Sequence, residues 1–299
     1  MRILAKAILC FAASGIPAAN AAQVSDALAT IESKAAASHS DAVLVLRGDT
    51  VLFEAATSAE PVALMSATKS IVALAIGLLI EDGKLGSIDQ PVSTVYPEWA
   101  QGRKREITIR MLLDHTSGLQ NVPNAGVELE SAPDLVQLAL AAELTSAPGT
   151  TFAYNNKATN LLTGIVGKLA GEPIDTYVAT RIFAPLGITH ATWMRDAAGT
   201  PMGMAGLALS ARDLARLGRL VLDKGVAPDG QRILGEDFIA MLTAESARSP
   251  DVGLLWWRNA AWERYTLKED ARAFLADKGV ATDVRDALLD TAGMQFGSR

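Results

Sequence analysis

The chain has 299 residues and is 49% hydrophobic, which is enough for a large core in one domain or in two interleaved lobes. Its 33 acidic residues outnumber its 27 basic ones, and without a lysine or arginine cluster this charge argues against a nucleic-acid partner. The single cysteine, Cys10, lies near the start of the chain, so no disulfide framework is expected.

The first 22 residues have the layout of a secretory signal peptide. Arg2 and Lys6 precede an apolar run over residues 7–16, and small residues follow as far as Ala22. Removal of this segment would leave residues 23–299 without a cysteine, which suits a bacterial periplasmic or secreted protein. Beyond the signal segment, the longest apolar run is too short to span a bilayer.

The next segments alternate between helical and strand patterns. Residues 23–37 are alanine-rich and amphipathic and predict a helix. Two short apolar runs on either side of Arg47-Gly48-Asp49 predict a β-hairpin. A long apolar helix that opens at Ser66 is predicted to end near Gly83, because glycine is the common terminating residue.

The middle of the chain is predicted to be mostly helical. Capping residues, apolar periodicity and glycine or proline stops delimit helices over residues 109–114, 133–143, 156–170, 173–186 and 211–223. After Pro250, the apolar segment 252–257 predicts a strand.

Ser66 and Lys69 stand at the start of the long apolar helix. Their spacing of three residues places a hydroxyl and an amine on one helix face, about one turn apart. A lysine with a lowered pKa can take the proton of a serine and make it a nucleophile. The first helical turn also offers backbone N–H groups to an oxyanion. From these two residues alone, a helix-capping Ser66 and a solvated Lys69 are the open alternative.

Tyr154 and Asn156 lie just before a predicted helix. A tyrosine near a cationic lysine can lose its proton more easily, so Tyr154 could serve as a general base and later as an acid. Asn156 offers a donor and an acceptor to a substrate amide or to the lysine. The structural alternative, a tyrosine that packs at the helix start and an asparagine that caps it, is open for this pair.

These motifs occur in one order along the chain, which strengthens each of them. They are Ser66-Ala67-Thr68-Lys69, the segment 112–119 with His115-Thr116-Ser117-Gly118, Tyr154-x-Asn156, Pro185-Leu186-Gly187-Ile188, and Gly206-Leu207 with the segment 211–216. The set resembles the β-lactamase-related serine hydrolases, which include class C β-lactamases, D-alanyl-D-alanine carboxypeptidases, esterases and 6-aminohexanoate-dimer hydrolases.

The resemblance implies an α/β (α+β) fold of the β-lactamase/transpeptidase type, with an antiparallel sheet, flanking helices and a helical lobe. Within the domain 23–299, the helical lobe would cover about residues 86–200, and the remainder would form the α/β lobe. The family also carries a Lys-Thr-Gly or His-x-Gly motif on a strand that faces the serine. No such tripeptide follows Trp257, and Thr291-Ala292-Gly293 lacks the basic residue, so the C-terminal strands are expected to be missing.

The resemblance also implies roles for the candidate residues. Ser66 would be the acylated nucleophile, Lys69 its proton partner, Tyr154 the general base and acid, and Asn156 a substrate contact. Which of Lys69 and Tyr154 takes the serine proton is unsettled for such sites. His115 belongs to a segment that is structural in the family.

The expected function is hydrolysis of a small-molecule or peptide-like ester or amide through an acyl-serine intermediate. The alternative is a catalytically impaired relative that binds peptidoglycan or a peptide without turnover. No cofactor is implied, and three scattered histidines without metal-ligand spacing predict no metal site. The sequence gives no indication of oligomeric state.

Overall fold

The computed structural model describes residues 8–10, 21–56, 60–121, 129, 131–258, 263–264 and 297–298. The chain divides into two units, Met1–Trp257 and Arg258–Arg299. The first unit contains the elements that position the candidate site. In the second unit, two short strands, Glu263–Arg264 and Gly297–Ser298, pair antiparallel.

The strands in the described part of the first unit are short. They are β1 (Ile8–Cys10), β2 (Ala42–Arg47), β3 (Thr50–Ala56), β4 (Val62–Ala63), β5 (Thr192–Trp193) and β6 (Leu207–Leu209). The α-helices in the same part are α1 (Ala21–Ala37), α2 (Thr68–Glu81), α3 (Ile109–Leu113), α4 (Leu135–Ala141), α5 (Asn156–Ala170), α6 (Ile174–Val178), α7 (Ala211–Leu222) and α8 (Glu236–Thr243).

The predicted β-hairpin is confirmed as the antiparallel pair β2 and β3. Gly48 makes the turn with a φ of 56°, a conformation that glycine adopts without steric cost, and the register shifts between Val45 and Leu46. On the other edge of β2, β1 pairs in parallel. Strand β1 lies inside the segment predicted to be a signal peptide, and most of that segment lies outside the described residues.

A second small antiparallel sheet, in the order β4-β6-β5, leads into the Ser66 segment. Ala63 and Thr192 pair with Ala208 from opposite sides. The ladder continues by one hydrogen bond beyond β4, because the N–H of Leu64 donates to the Leu207 carbonyl at 2.8 Å. The chain therefore enters the turn before α2 with its direction fixed by the sheet.

Helix α2 is the buried centre of this unit. Its residues from Ile71 to Leu79 are at most 2% exposed, because the helix is apolar on every face and packs on all sides. At its C-terminal end, Asp82 accepts hydrogen bonds from the Tyr177 hydroxyl at 2.7 Å and from the Arg181 guanidinium. These bonds tie the end of α2 to the α6 region.

The helical region that follows α2 agrees with the local capping signals. The Thr108 hydroxyl accepts from the N–H of Met111 at the start of α3. Helix α5 covers the predicted residues 156–170 and ends at Gly171, whose φ is 82°. The predicted helix 173–186 is present as α6 followed by a π-helical turn, Ala179–Phe183. The mixed fold class expected from the sequence is confirmed.

The strand predicted for residues 252–257 is wrong. The segment is a tight loop in which Val252 and Trp257 form one isolated bridge and Leu255 has a φ of 59°. The N–H of Leu255 donates to the Leu113 carbonyl at 2.9 Å, and the Trp256 indole donates to the Ser70 carbonyl at 3.2 Å. Residues 252–255 are buried, as the residues of a core strand would be, whereas Trp257 is 61% exposed.

Among the described residues, no helix combines the length and the apolar character needed to cross a membrane.

Candidate active site

Ser66 lies in a 3₁₀ turn, Met65–Ala67, that connects β4 to α2. Met65 has a φ of 49°, a sparsely populated conformation for a side chain of this size, and such strain is commonly stored at functional sites. The turn leaves Ser66 exposed, whereas Thr68 and Lys69 immediately after it are buried. The sequence predicted a serine in the first helical turn but gave no sign of the strained residue before it.

Lys69 is held in one orientation by two contacts. Its Nζ lies 3.0 Å from the Oγ of Ser66 and 2.6 Å from the carbonyl oxygen of Met204. The side chain is 3% exposed, and its desolvation lowers the pKa of Lys69 to about 7. A substantial fraction of Lys69 is therefore neutral at physiological pH and able to accept a proton from Ser66.

Tyr154 completes the group. The Nζ of Lys69 lies 4.9 Å from the centre of the Tyr154 ring, within cation–π range. Burial raises the pKa of Tyr154, and a hydrogen bond with the Ser66 side chain offsets part of that rise. The structure thus brings together the three side chains that the sequence nominated from separate motifs, with Ser66 between an amine and a phenol.

The asparagines after Tyr154 have different surroundings. Asn155 is the N-cap of α5: its side chain accepts from the N–H of Ala158 at 3.0 Å and donates to the Leu119 carbonyl at 2.8 Å. The cap considered for Asn156 therefore belongs to Asn155. The Oδ1 of Asn156 is buried without a hydrogen-bond partner among the described residues. The substrate contact assigned to Asn156 stays a prediction.

His115 lies behind Tyr154 and does not contact Ser66 in the manner of a triad histidine. Its ring centre is 4.8 Å from that of Tyr154, and its Nδ1 accepts from the N–H of Asn155 at 3.2 Å. The side chain is 2% exposed, and desolvation, with a smaller contribution from the charge of Lys69, lowers the pKa of His115 to about 3. The neutral, buried imidazole therefore packs against the Tyr154 ring and supports its position.

The sequence did not identify the Met204 carbonyl as part of the site. The segment Gly203-Met204-Ala205-Gly206 carries no ionisable side chain, and a main-chain acceptor has no side-chain signature. Its glycines were the available signal, since they permit the close backbone approach observed between Gly203 and α5.

The fold is that of β-lactamases and penicillin-binding proteins. A penicillin binding protein from Bacillus halodurans superposes with a TM-score of 0.57 at 22% identity, over 74% of this chain and 81% of that chain. An octameric penicillin-binding protein homologue from Pyrococcus abyssi superposes with a TM-score of 0.60 at 20% identity, over 79% and 64% of the two chains.

The chain belongs to the β-lactamase family, whose pattern matches residues 28–262. The 6-aminohexanoate-dimer hydrolase of Paenarthrobacter ureafaciens is 30% identical over 251 residues, and Esterase EstB of Burkholderia gladioli is 33% identical over 144 residues. These matches cover 75% and 42% of this chain, and the chain spans 63% and 36% of the lengths of the two relatives. The family resemblance predicted from the motifs is confirmed.

Proposed function

We propose that this protein is a serine hydrolase that cleaves an ester or amide bond through an acyl-Ser66 intermediate. The observation that carries the proposal is the 3.0 Å contact between the Ser66 hydroxyl and the buried amine of Lys69, whose pKa is about 7. An exposed nucleophile beside a desolvated base is the arrangement that activates a serine at neutral pH. A lysine kept for structure alone would have been costly to bury in this way.

Acylation would use Lys69 as the base and Tyr154 as the acid. Neutral Lys69 takes the Ser66 proton as Oγ bonds to the substrate carbonyl carbon. The resulting oxyanion accepts a hydrogen bond from the backbone N–H of Ser66. Tyr154, which keeps its proton because burial raises its pKa, donates it to the leaving alcohol or amine as the scissile bond breaks. The proton on Lys69 then passes to the Tyr154 phenolate, since both groups have a hydrogen bond with the Ser66 side chain.

In deacylation Lys69 would again be the base. A water molecule gives a proton to neutral Lys69 as its oxygen bonds to the acyl carbon, and the ester bond to Ser66 breaks as Oγ recovers that proton from Lys69. Asn156 would contact the acyl group or leaving group through its side-chain amide, and its buried Oδ1, which has no hydrogen-bond partner in the described part of the chain, supports such a role. In the family, a second oxyanion donor comes from the strand with the Lys-Thr-Gly or His-x-Gly motif. This sequence lacks that tripeptide, and the partial match Thr291-Ala292-Gly293 lies outside the described residues.

The relatives support a small ester or amide as the substrate, because one is a dimer hydrolase and another an esterase by name. The N-terminal pattern supports export, and we place the mature chain, residues 23–299, in the periplasm or outside the cell.

The test is intact-mass spectrometry after incubation with a fluorophosphonate probe, which forms a stable adduct with an activated serine. Wild-type protein and the Ser70→Ala variant are expected to gain one adduct, whereas Ser66→Ala gains none. Ser70 is the matched control because it lies on the same helix and its hydroxyl donates to the Leu255 carbonyl, away from Lys69. Folded wild-type protein without an adduct would refute the hydrolase and favour binding of peptidoglycan or peptide without turnover.

A further inference from the structure

Lys69 is connected to helix α5 through one residue of the 203–206 loop. The carbonyl of Met204 accepts from the Nζ of Lys69 at 2.6 Å, and the N–H of the same residue donates to the Oδ1 of Asn160 at 3.0 Å. Asn160 is 1% exposed and lies in the middle of α5. The position of the acceptor behind Lys69 therefore depends on a buried side chain of a rigid helix.

The loop has no room to shift on α5. A Cβ added to Gly203 would lie 2.6 Å from the Thr159 carbonyl oxygen and 2.6 Å from the Cγ2 of Thr163. At the other end of the loop, Gly206 has a φ of 101° and a Cβ there would lie 3.0 Å from the Cβ of Met194. Close packing therefore fixes the loop at both glycines. Between them, the orientation of the Met204 peptide groups depends on hydrogen bonds.

We infer that Asn160 is a positioning residue for the proposed reaction: by holding Met204, it keeps the amine of Lys69 turned toward Ser66. The inference rests on the proposed function. A neutral amine has two N–H groups and one lone pair. When the Met204 carbonyl takes one N–H, rotation about the terminal bond of Lys69 is restricted and the lone pair can face the Ser66 hydroxyl. Without that acceptor, the flexible side chain samples orientations that do not lead to proton transfer.

The unused half of the Asn160 amide supports a positioning role. Its Nδ2 is buried and has no hydrogen-bond partner among the described residues, although a buried amide kept for stability would be expected to satisfy both groups. The oxygen alone is engaged, and it is engaged with Met204.

This asymmetry defines the test variants. Asn160→Asp keeps an oxygen for the Met204 N–H and loses no hydrogen bond to protein at Nδ2, and burial favours the neutral acid. Asn160→Leu has the same branching without an acceptor. Thr163→Val is the matched control, because it removes the Thr163 hydroxyl, which donates to the Asn160 carbonyl, and keeps the methyl group beside Gly203.

The measurement is the second-order rate of fluorophosphonate labelling at Ser66 as a function of pH, with the thermal midpoint recorded for each variant. Asn160→Leu is expected to label about 10- to 100-fold more slowly on its plateau, the cost of a misplaced catalytic group. The rise of its labelling rate with pH should also occur at lower pH. The charged form of Lys69 loses a hydrogen-bond acceptor in this variant, which lowers the pKa of Lys69. Tyr154 and His115 are ionisable groups that face Lys69, and both are unchanged in the variants.

Asn160→Asp and Thr163→Val should label close to the wild-type rate and pH profile. If Asn160→Leu does not fold, Asn160→Ala removes the same acceptor without added volume and takes its place. Labelling of the acceptor-free variant at the wild-type rate, or an equal loss in Thr163→Val, would overturn the positioning role while leaving the hydrolase intact. Unlabelled wild-type protein would instead overturn the proposed function and this inference with it.

Discussion

The amine of Lys69 lies 4.9 Å from the centre of the Tyr154 ring, and burial moves the pKa values of these two groups in opposite directions. Desolvation disfavours the charged form of each group, so it lowers the pKa of the lysine and raises that of the tyrosine. The two groups therefore differ in their readiness to lose a proton near neutral pH. This difference supports Lys69 as the base and Tyr154 as the acid of the proposed reaction.

Labelling of Ser66 should therefore increase with pH through the pKa of Lys69. Below about pH 7 the lysine carries a proton and cannot accept another, and above it the rate should reach a plateau. The measurement is the fluorophosphonate labelling rate across this range, with Ser66→Ala as the background. Because burial raises the pKa of Tyr154, a rate that instead rises only above the ordinary tyrosine value of 10.0 would assign the base to Tyr154.

Lys69→Met should abolish labelling and stabilise the fold. Between about pH 7 and 10.5 the unfolded chain binds a proton at Lys69 that the folded chain does not, so the stability of the wild type rises with pH in this window. Methionine carries no charge, and we expect the free energy of unfolding to increase by roughly 2–4 kcal/mol near pH 6.

Urea denaturation at two pH values checks this expectation. The gain from Lys69→Met should shrink as the pH approaches 10.5, and the exposed Lys34→Met is the control for loss of a surface lysine. A Lys69→Met protein that is less stable than the wild type near pH 6 would show that the contacts with Ser66 and Met204 outweigh the desolvation cost.

Local chemistry made much of the fold predictable. The bounds of α5 follow from an asparagine at its start and a glycine in the left-handed region at its end, and both signals act within a few residues. The contact between Ser66 and Lys69 is likewise local, since a spacing of three residues is about one helical turn. Tyr154 could be placed beside them only through the order of the family motifs.

Other features depend on contacts that are distant in sequence. Residues 252–255 are buried in a loop, and apolar composition alone does not distinguish a buried loop from a buried strand. The acceptor for Lys69 is a main-chain carbonyl 135 residues away. The strained φ of Met65 is imposed by the junction between β4 and α2 and has no counterpart in residue type.

Two helix glycines should respond in opposite directions to substitution by alanine. A Cβ at Gly77 of α2 would lie 2.5 Å from Cδ1 of Phe238 and 2.9 Å from Cδ2 of Leu234, so Gly77→Ala overpacks the contact with the α8 region and should cost about 1–3 kcal/mol. At Gly167 of α5, the nearest atom would be the Glu172 carbonyl oxygen at 3.9 Å. Gly167→Ala should therefore stabilise the protein by about 0.5–1 kcal/mol through helix propensity.

Chemical denaturation of the two alanine variants beside the wild type measures both effects. Gly167→Ala is the control for the intrinsic preference of alanine, which Gly77→Ala shares. Equal stabilisation by both substitutions would mean that Phe238 moves aside at no cost, and that α2 is less tightly packed there than the structure indicates.

His115 should make the protein sensitive to mild acid. Its folded pKa of about 3 lies below the ordinary value of 6.5, so as the pH falls below 6.5 the unfolded chain takes up a proton that the folded chain does not. The wild type should lose up to about 1.4 kcal/mol per pH unit from this residue. His115→Gln lacks this proton uptake, so its stability deficit relative to the wild type should be about 2 kcal/mol smaller at pH 5 than at pH 7.

Urea denaturation at the two pH values measures the difference, and the exposed His190→Gln is the control. Parallel pH dependences for wild type and His115→Gln would show that His115 is protonated normally in the folded protein, which its burial against Tyr154 and Asn155 argues against.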